Sequence, residues 1–305
     1  MKNLDLVIIG AQKSGTTSLK NYLRQHPQIA GHNCLEFAYF GDDSEYAQGY
    51  EAVANEYLDK KVAPVYIAKN VAISLSEEPL RRLQKHNPAM KVVLVLREPA
   101  SRSYSEYTMG VMDGWMKRDF SELNDILEEG NTRDPMYQCF IPNGFYVSQI
   151  QLILKYFPPE NIRIFLFDDL KQVPDKICNN LFEWLGVDYF RITPEIHNKT
   201  VKPRSMKVAS FTHRFRKQGN PVKMMLKALL PRHVFEHLRN AVLKANFSRE
   251  AFPPLSPKLK RKLTEHYAPS IKELVDLIHR SAPESLIMFG ASHWLQLYDQ
   301  DELSE

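Results

Sequence analysis

The chain has 305 residues, 44% of them hydrophobic and 25% charged, which is ordinary for a soluble globular protein with a sizeable core. No window approaches 18 apolar residues, and the three cysteines are odd in number and far apart, which excludes a transmembrane span and a disulfide or zinc framework. Ten scattered histidines without an HExxH motif predict no metal site, and the net charge of +4 points only weakly to an anionic ligand.

Apolar patterning predicts strands that alternate with helices along most of the chain. In order, the sequence gives strand LDLVIIG, helix SLKNYLRQHPQI, strand VYIAKN, helix EEPLRRLQKHNP, strand KVVLVL, helix SRSYSEYTMGVM, helix SQIQLILKYF, strand IRIFLF and helix ICNNLFEWLGV. Such alternation implies βαβ units. We therefore predict an α/β fold, a P-loop-like parallel sheet flanked by helices on both faces with a helical C-terminal cover.

The domain organisation and location follow from the rest of the chain. We predict a single domain over residues 1–305, with a basic helical insertion at roughly 202–255. The N-terminal apolar run, Leu6–Ile9, is too short for the hydrophobic region of a signal peptide. Together with reduced cysteines, this leads us to expect a cytoplasmic protein.

Polar side chains follow four of the predicted strands: Lys13, Lys69, Arg97 and Asp168. Ligands of open parallel sheets bind at the carboxyl ends of the strands. The convergence of these side chains therefore predicts the functional site.

The stretch GAQKSGTTSL, Gly10–Leu19, resembles a phosphate-binding loop because it leads from a strand into a helix N-terminus. Lys13 supplies a full charge, whereas Thr16 stands where a nucleotide triphosphatase places its lysine. The remaining donors of the loop are backbone amides and hydroxyls, at Ser14, Gly15, Thr16, Thr17 and Ser18. The loop therefore predicts an anion site.

A second anion site is predicted after the strand VVLVL, which ends in Arg97. Ser105 follows eight residues on, across a strand–turn–helix, and an arginine and a serine so spaced suit one phosphate. The strand does not end in the acidic metal ligand of a nucleoside triphosphatase, since Glu98 is followed at once by Pro99. The ligand is thus expected to carry two separated anionic groups, with no metal required.

These two motifs resemble those of sulfotransferases that use 3′-phosphoadenosine 5′-phosphosulfate (PAPS). GAQKSGTTSL is similar to the family's 5′-phosphosulfate loop, and LREPASRSYSEY is similar to its 3′-phosphate motif. The resemblance implies that PAPS is the co-substrate, without a metal. It implies PAPS binding by Lys13, Ser14, Gly15, Thr16, Thr17, Ser18, Arg97 and Ser105. It also implies that Lys13 stabilises the leaving 5′-phosphate.

The resemblance also implies the remaining catalytic residues. HNCLEFAYF is similar to a K-E-x-x-x-F segment, so Glu36 is the expected general base, although Leu35 replaces the usual lysine. His32 is the alternative base. Lys69 resembles a lysine near the sulfate and the acceptor, but Asn70-Val71 replaces the Ser-Pro that follows it in the family.

The family resemblance implies sulfuryl transfer to a hydroxyl, and we expect a small natural product or a glycan as acceptor. N-sulfation of an amine or carbamoyl group is the alternative, as is a nucleotide-dependent P-loop kinase. A non-enzymatic nucleic-acid-binding module built on the basic segment would leave both N-terminal phosphate motifs unexplained. We therefore predict no nucleic-acid partner and no membrane span, and make no prediction of the oligomeric state.

Overall fold

The computed structural model describes residues 3–194, 201–216, 245–289 and 294–295. The strands within these ranges are β1 Leu6–Gly10, β2 Ile29–Ala30, β3 Val65–Lys69, β4 Lys91–Leu96, β5 Ile162–Leu166, β6 Val201–Pro203, β7 Phe247–Ala251 and β8 Leu286–Ile287. Six of them form one sheet in the order β2-β3-β1-β4-β5-β8, and every pair in it is parallel.

Helices connect these strands. Their bounds are α1 Thr16–Leu23, α2 Asp43–Ala47, α3 Tyr50–Tyr57, α4 Glu77–His86, α5 Pro99–Met112, α6 Leu123–Glu128, α7 Pro135–Phe140, α8 Tyr146–Leu154, α9 Phe167–Gln172, α10 Pro174–Leu185, α11 Met206–Arg216 and α12 Pro257–Ser281. The predicted α/β class with a helix-flanked parallel sheet is confirmed.

Burial of the central strands explains why their sequences are unbroken apolar runs. All five residues of β1 are buried, as are Val92 to Leu96 of β4, because a parallel sheet is covered on both faces. One face of α10 packs into this core through Ile177, Leu181 and Phe182. Gly186 ends that helix in the left-handed conformation, with φ 70°.

The chain divides into two compact units. The first comprises Met1–Arg102, Pro142–His197 and Leu263–Glu305 and contains the six-stranded sheet. The second comprises Ser103–Ile141 and Asn198–Lys262 and contains the antiparallel pair of β6 and β7. The single domain over residues 1–305 stays a prediction.

The predicted helical insertion at 202–255 differs in part from the structure. Helix α11 is present, but most of β6 and all of β7 also lie inside that range, and residues 217–244 lie outside the described ranges. Strands β2, β6 and β8 were not predicted because two or three residues are too few to show a period. Among the described helices, none combines the length and apolarity that crossing a lipid bilayer requires.

Candidate active site

The predicted phosphate loop occupies residues 11–15, between β1 and α1. Lys13 and Gly15 both have positive φ, 68° and 80°, and these two residues turn the chain back toward the helix. A Cβ at Gly15 would lie 2.9 Å from the Phe167 ring, so the position needs glycine for space as well as for conformation. Gly15 is the N-cap of α1 and gives it no side-chain cap, which leaves the first-turn N–H groups suited to an anion.

The hydroxyls of the loop differ in their surroundings. Ser14 is fully buried, and its Oγ has no hydrogen-bond partner among the described residues. A buried hydroxyl is costly without a partner, so a phosphate or sulfate oxygen in the loop would satisfy it. Thr16 is 4% exposed and Ser18 is half-buried, whereas the Oγ1 of Thr17 accepts a hydrogen bond from Lys69 Nζ at 3.1 Å. The donor set thus fits the predicted 5′-phosphosulfate group.

Arg97 lies directly after β4 and reaches the loop. Its Nη1 donates to the Lys13 carbonyl at 3.0 Å, and its guanidinium carbon lies 4.6 Å from the centre of the Phe167 ring. Its own carbonyl accepts from the hydroxyl of Tyr146 at 2.8 Å. Burial lowers the pKa of Arg97, while Asp168 opposes that shift. Arg97 therefore supports the conformation of Lys13.

Ser105 lies on α5, in the second unit, and is half-buried. Its carbonyl accepts from the Thr108 hydroxyl at 3.0 Å. The phosphate clamp formed with Arg97 stays a prediction.

Glu36 and Lys69, predicted separately, form an ion pair. Lys69 ends β3, and its Nζ lies 2.5 Å from Glu36 Oε1 and 3.1 Å from Thr17 Oγ1. The other carboxylate oxygen of Glu36 accepts from the backbone N–H of Val71 at 3.1 Å. The Lys69 side chain is 2% exposed and that of Glu36 is 32% exposed. One buried ammonium thus connects the expected base to the phosphate loop, while the base itself remains accessible.

His32, the alternative base, is fully buried and engaged inside the protein. Its Nε2 accepts from the backbone N–H of Lys69 at 3.0 Å, so Nδ1 carries the proton and donates to Cys34 Sγ at 3.0 Å. Burial above all, and then the positive charges of Lys20, Lys69 and Arg24, lowers the pKa of His32 to about 3. Its ring is neutral and has no face toward solvent, so Glu36 is the better placed base.

Lys20 is a site residue that the sequence did not suggest. It follows Thr17 by one helical turn and is 4% exposed, and its Nζ donates to the carbonyls of His32 at 3.3 Å and Cys34 at 3.0 Å. Its position one helical turn from the loop was the only feature of the sequence that could have pointed to a role in the site. Phe167 was missed too, although it directly follows β5 as Arg97 follows β4.

Comparisons with known proteins identify the family of the chain. A family model described as "Sulfotransferase domain" matches residues 3–242. "Heparan sulfate glucosamine 3-O-sulfotransferase 5" of Mus musculus is 28% identical over 162 residues, 52% of this chain and 46% of that protein. "Membrane-associated sulfotransferase kil1" of Dictyostelium discoideum is 23% identical over 309 residues, 71% of this chain and 63% of that protein. The chain thus spans about half to two thirds of the length of these curated relatives.

A solved structure shows a similar fold. A sulfotransferase from Alicyclobacillus acidocaldarius superposes with a TM-score of 0.62 at 21% identity, covering 92% of this chain and 97% of that one. This similarity extends the match beyond the segments shared with the curated relatives.

Proposed function

The chain belongs to the sulfotransferase domain family, and from that premise we propose that it transfers the sulfuryl group of PAPS to a hydroxyl of a small-molecule or glycan acceptor. One observation carries the proposal. Lys69 Nζ binds both Glu36, at 2.5 Å, and Thr17 of the loop, at 3.1 Å. A candidate proton acceptor and the predicted anion-binding loop thus meet at one cation, which is an arrangement that suits sulfuryl transfer to a hydroxyl.

Donor binding is assigned to the loop and to the end of β4. The buried Ser14 hydroxyl and the uncapped first turn of α1 suit the 5′-phosphosulfate. Arg97 and Ser105 would hold the 3′-phosphate, as the family resemblance implies. PAPS supplies an activated sulfuryl group on a phosphate leaving group. The sulfuryl group carries less charge than a phosphoryl group, so its transfer does not need magnesium.

The chain's own groups act on the two ends of the transfer. Glu36 takes the proton of the acceptor hydroxyl, whose oxygen forms the new S–O bond as the S–O bond to the 5′-phosphate breaks. Lys13 stabilises the charge that develops on the leaving phosphate. Lys69, between the base and the loop, orients the Glu36 carboxylate. The products are a sulfate ester and adenosine 3′,5′-bisphosphate, with the proton on Glu36.

The acceptor is inferred from the surroundings of Glu36. Leu35 is 72% exposed and stands where the family resemblance implies a lysine. An apolar side chain beside the base suits an acceptor with little negative charge better than it suits a densely sulfated polymer. The similarity to a heparan sulfate 3-O-sulfotransferase supports a hydroxyl of a glycan among the candidates.

A transfer assay with sulfur-labelled PAPS tests the proposal. Hydroxyl acceptors (simple glycans, phenols and alcohols) and amine acceptors are assayed with and without EDTA, and ATP with magnesium is assayed in parallel. We expect a labelled sulfate ester with an equal amount of adenosine 3′,5′-bisphosphate, unaffected by EDTA. A labelled N-sulfate would favour the amine alternative. Phosphoryl transfer from ATP without any transfer from PAPS would contradict the proposal.

A further inference from the structure

Three hydrogen bonds and the ion pair join residues 32–36 and Lys69 in a closed circuit. The Lys69 N–H donates to His32 Nε2, the His32 Nδ1–H donates to Cys34 Sγ, and the thiol donates to the Glu36 carbonyl at 3.2 Å. The Glu36 carboxylate then returns to the Lys69 ammonium. The Lys69 carbonyl also accepts from the N–H of Phe37 at 2.8 Å. Both backbone polar atoms of Lys69 are therefore bonded to the segment that carries the base.

Lys20 anchors this circuit to the phosphate loop. Its Nζ binds the carbonyls of His32 and Cys34, while Thr17, one turn earlier on α1, binds Lys69. The groups that face the circuit are thus the charges of Lys20, Lys69, Arg24 and Glu36 and the thiol of Cys34.

We propose that His32, together with Cys34 and Lys20, is a positioning residue that holds the Glu36–Lys69 pair in a fixed position relative to the phosphate loop. This inference rests on the proposed function, because it assigns a role in the same transfer. His32 touches neither reacting group with its ring. It acts through the backbone of Lys69 and, through Cys34, on that of Glu36.

The chemistry of the imidazole explains why this position suits histidine. One buried group must accept from the Lys69 N–H and donate to Cys34 at the same time, and a neutral imidazole does both. The ring stays neutral because it is buried among Lys20, Lys69 and Arg24. An apolar ring at the same position would leave the Lys69 N–H without its acceptor.

Misplacement of about 1 Å at a reacting group costs about a hundredfold in rate. Loss of the circuit is therefore expected to reduce kcat while leaving donor binding intact, since Lys13 and Arg97 lie outside it. A residue with only a structural role would lower thermal stability without changing kcat per folded molecule.

The test compares two substitutions of His32 with one at a matched histidine. His32→Phe removes the acceptor for Lys69 N–H, whereas His32→Gln restores one near the position of Nε2. His26 is the control, since it is 1% exposed and bridges backbone groups of Gln28 at 3.0 Å and Asp188 at 2.9 Å.

We expect His32→Phe to lower kcat by about tenfold to a hundredfold, with KM for PAPS within about threefold. His32→Gln is expected to recover most of kcat, and His26→Phe to leave kcat within about twofold. Equal kcat values for His32→Phe and His26→Phe would overturn the proposal.

A second pair of variants covers the case in which His32→Phe does not fold. Cys34 is only half-buried, so Cys34→Ala and Cys34→Ser are both expected to fold. The hydroxyl of serine keeps a donor and an acceptor, so Cys34→Ser is expected to retain more kcat than Cys34→Ala. Equal activity of the two would overturn the role of Cys34 in the circuit.

A readout independent of turnover separates this inference from the proposed function. Nitrogen NMR of the His32 ring reports its tautomer without the need for a sulfuryl acceptor. A protonated Nδ1 and an unprotonated Nε2 across about pH 5 to pH 9 support the circuit. The opposite tautomer or an imidazolium in that range overturns it. Failure of wild-type PAPS turnover with the expected tautomer would count against the proposed function alone.

Discussion

Residues 10–19 form a strand end, a turn and a helix start within one stretch of chain, whereas residues 32–37 take their shape from contacts with other segments. The loop depends on two positive-φ residues and on a helix that begins at once, at Thr16. The base segment depends on Lys20, on Lys69 and on the N–H of Val71. The difference teaches that the proposed 5′-phosphosulfate loop is locally encoded and that placement of the proposed base is not. Substitutions in the two regions should therefore affect different kinetic parameters.

The largest effect is expected for Glu36→Gln, on the base side. The amide cannot take the acceptor proton, so kcat should fall by about 10²–10⁴-fold while affinity for adenosine 3′,5′-bisphosphate stays within about twofold. Steady-state kinetics and titration calorimetry measure the two quantities. Glu78→Gln is the control, because Glu78 is a carboxylate paired with Arg81 on an exposed helix face. Near-normal kcat in Glu36→Gln would place the base elsewhere.

The second-largest effect, also a fall in kcat, is expected for substitution of Lys13 in the phosphate loop. Removal of its ammonium withdraws stabilisation from the leaving phosphate, so kcat of Lys13→Ala should fall by about 10²–10³-fold. Because Lys13 has φ 68°, Lys13→Gly serves as the partner variant that accommodates this backbone conformation without strain. Similar rates for the two assign the loss to the ammonium. A glycine variant with near-normal kcat would instead assign it to backbone conformation.

A smaller effect, mainly on affinity, is expected for Arg97→Ala. Loss of one charged phosphate contact should weaken binding of adenosine 3′,5′-bisphosphate by about tenfold to a hundredfold, with kcat at saturating PAPS changed far less. Arg163→Ala is the matched control, since Arg163 also lies over an aromatic ring, 4.7 Å from the centre of Trp184. If Arg97→Ala reduced kcat and left affinity intact, the division between the two regions would be wrong.

The last effect is on stability rather than on kinetics, and it is expected in the pH dependence that Lys20 contributes. Burial and the nearby charge of Lys69 lower the pKa of Lys20 from 10.5 to about 8. Between these values the unfolded chain holds the proton and the folded chain does not, so this residue makes stability rise with pH across that window. Below pH 8, Lys20 lowers the free energy of unfolding by about 3 kcal/mol at most, and this cost disappears as the pH rises.

Chemical denaturation of wild type and Lys20→Gln across that window measures the contribution of Lys20 as a difference. The variant should lack the rise, whereas Lys85→Gln, at an exposed position on α4, should retain it. Parallel curves for wild type and Lys20→Gln would show that Lys20 does not titrate in this range.

The sequence predicted the loop well because Gly10–Leu19 carries its strand, turn and helix in adjacent residues. It also predicted site roles for Glu36 and Lys69, but as two separate residues. Their pairing was not predictable, because it depends on the register of β3 beside β1 and on a contact across 33 positions. Lys20 was missed for the same reason, since its partners are backbone carbonyls 12 and 14 positions away. Strand β6 was missed because it is only three residues long, and β7, FSREA, was missed because three successive polar residues give no alternating pattern.

Titration calorimetry with adenosine 3′,5′-bisphosphate tests the central claim most directly, which is that the loop and Arg97 bind the donor while a separate segment supplies the base. We expect binding in the micromolar range by the wild-type protein, unchanged by EDTA and by Glu36→Gln, and strongly weakened by Arg97→Ala. Absence of binding to the wild-type protein, or binding that EDTA abolishes, would contradict the account.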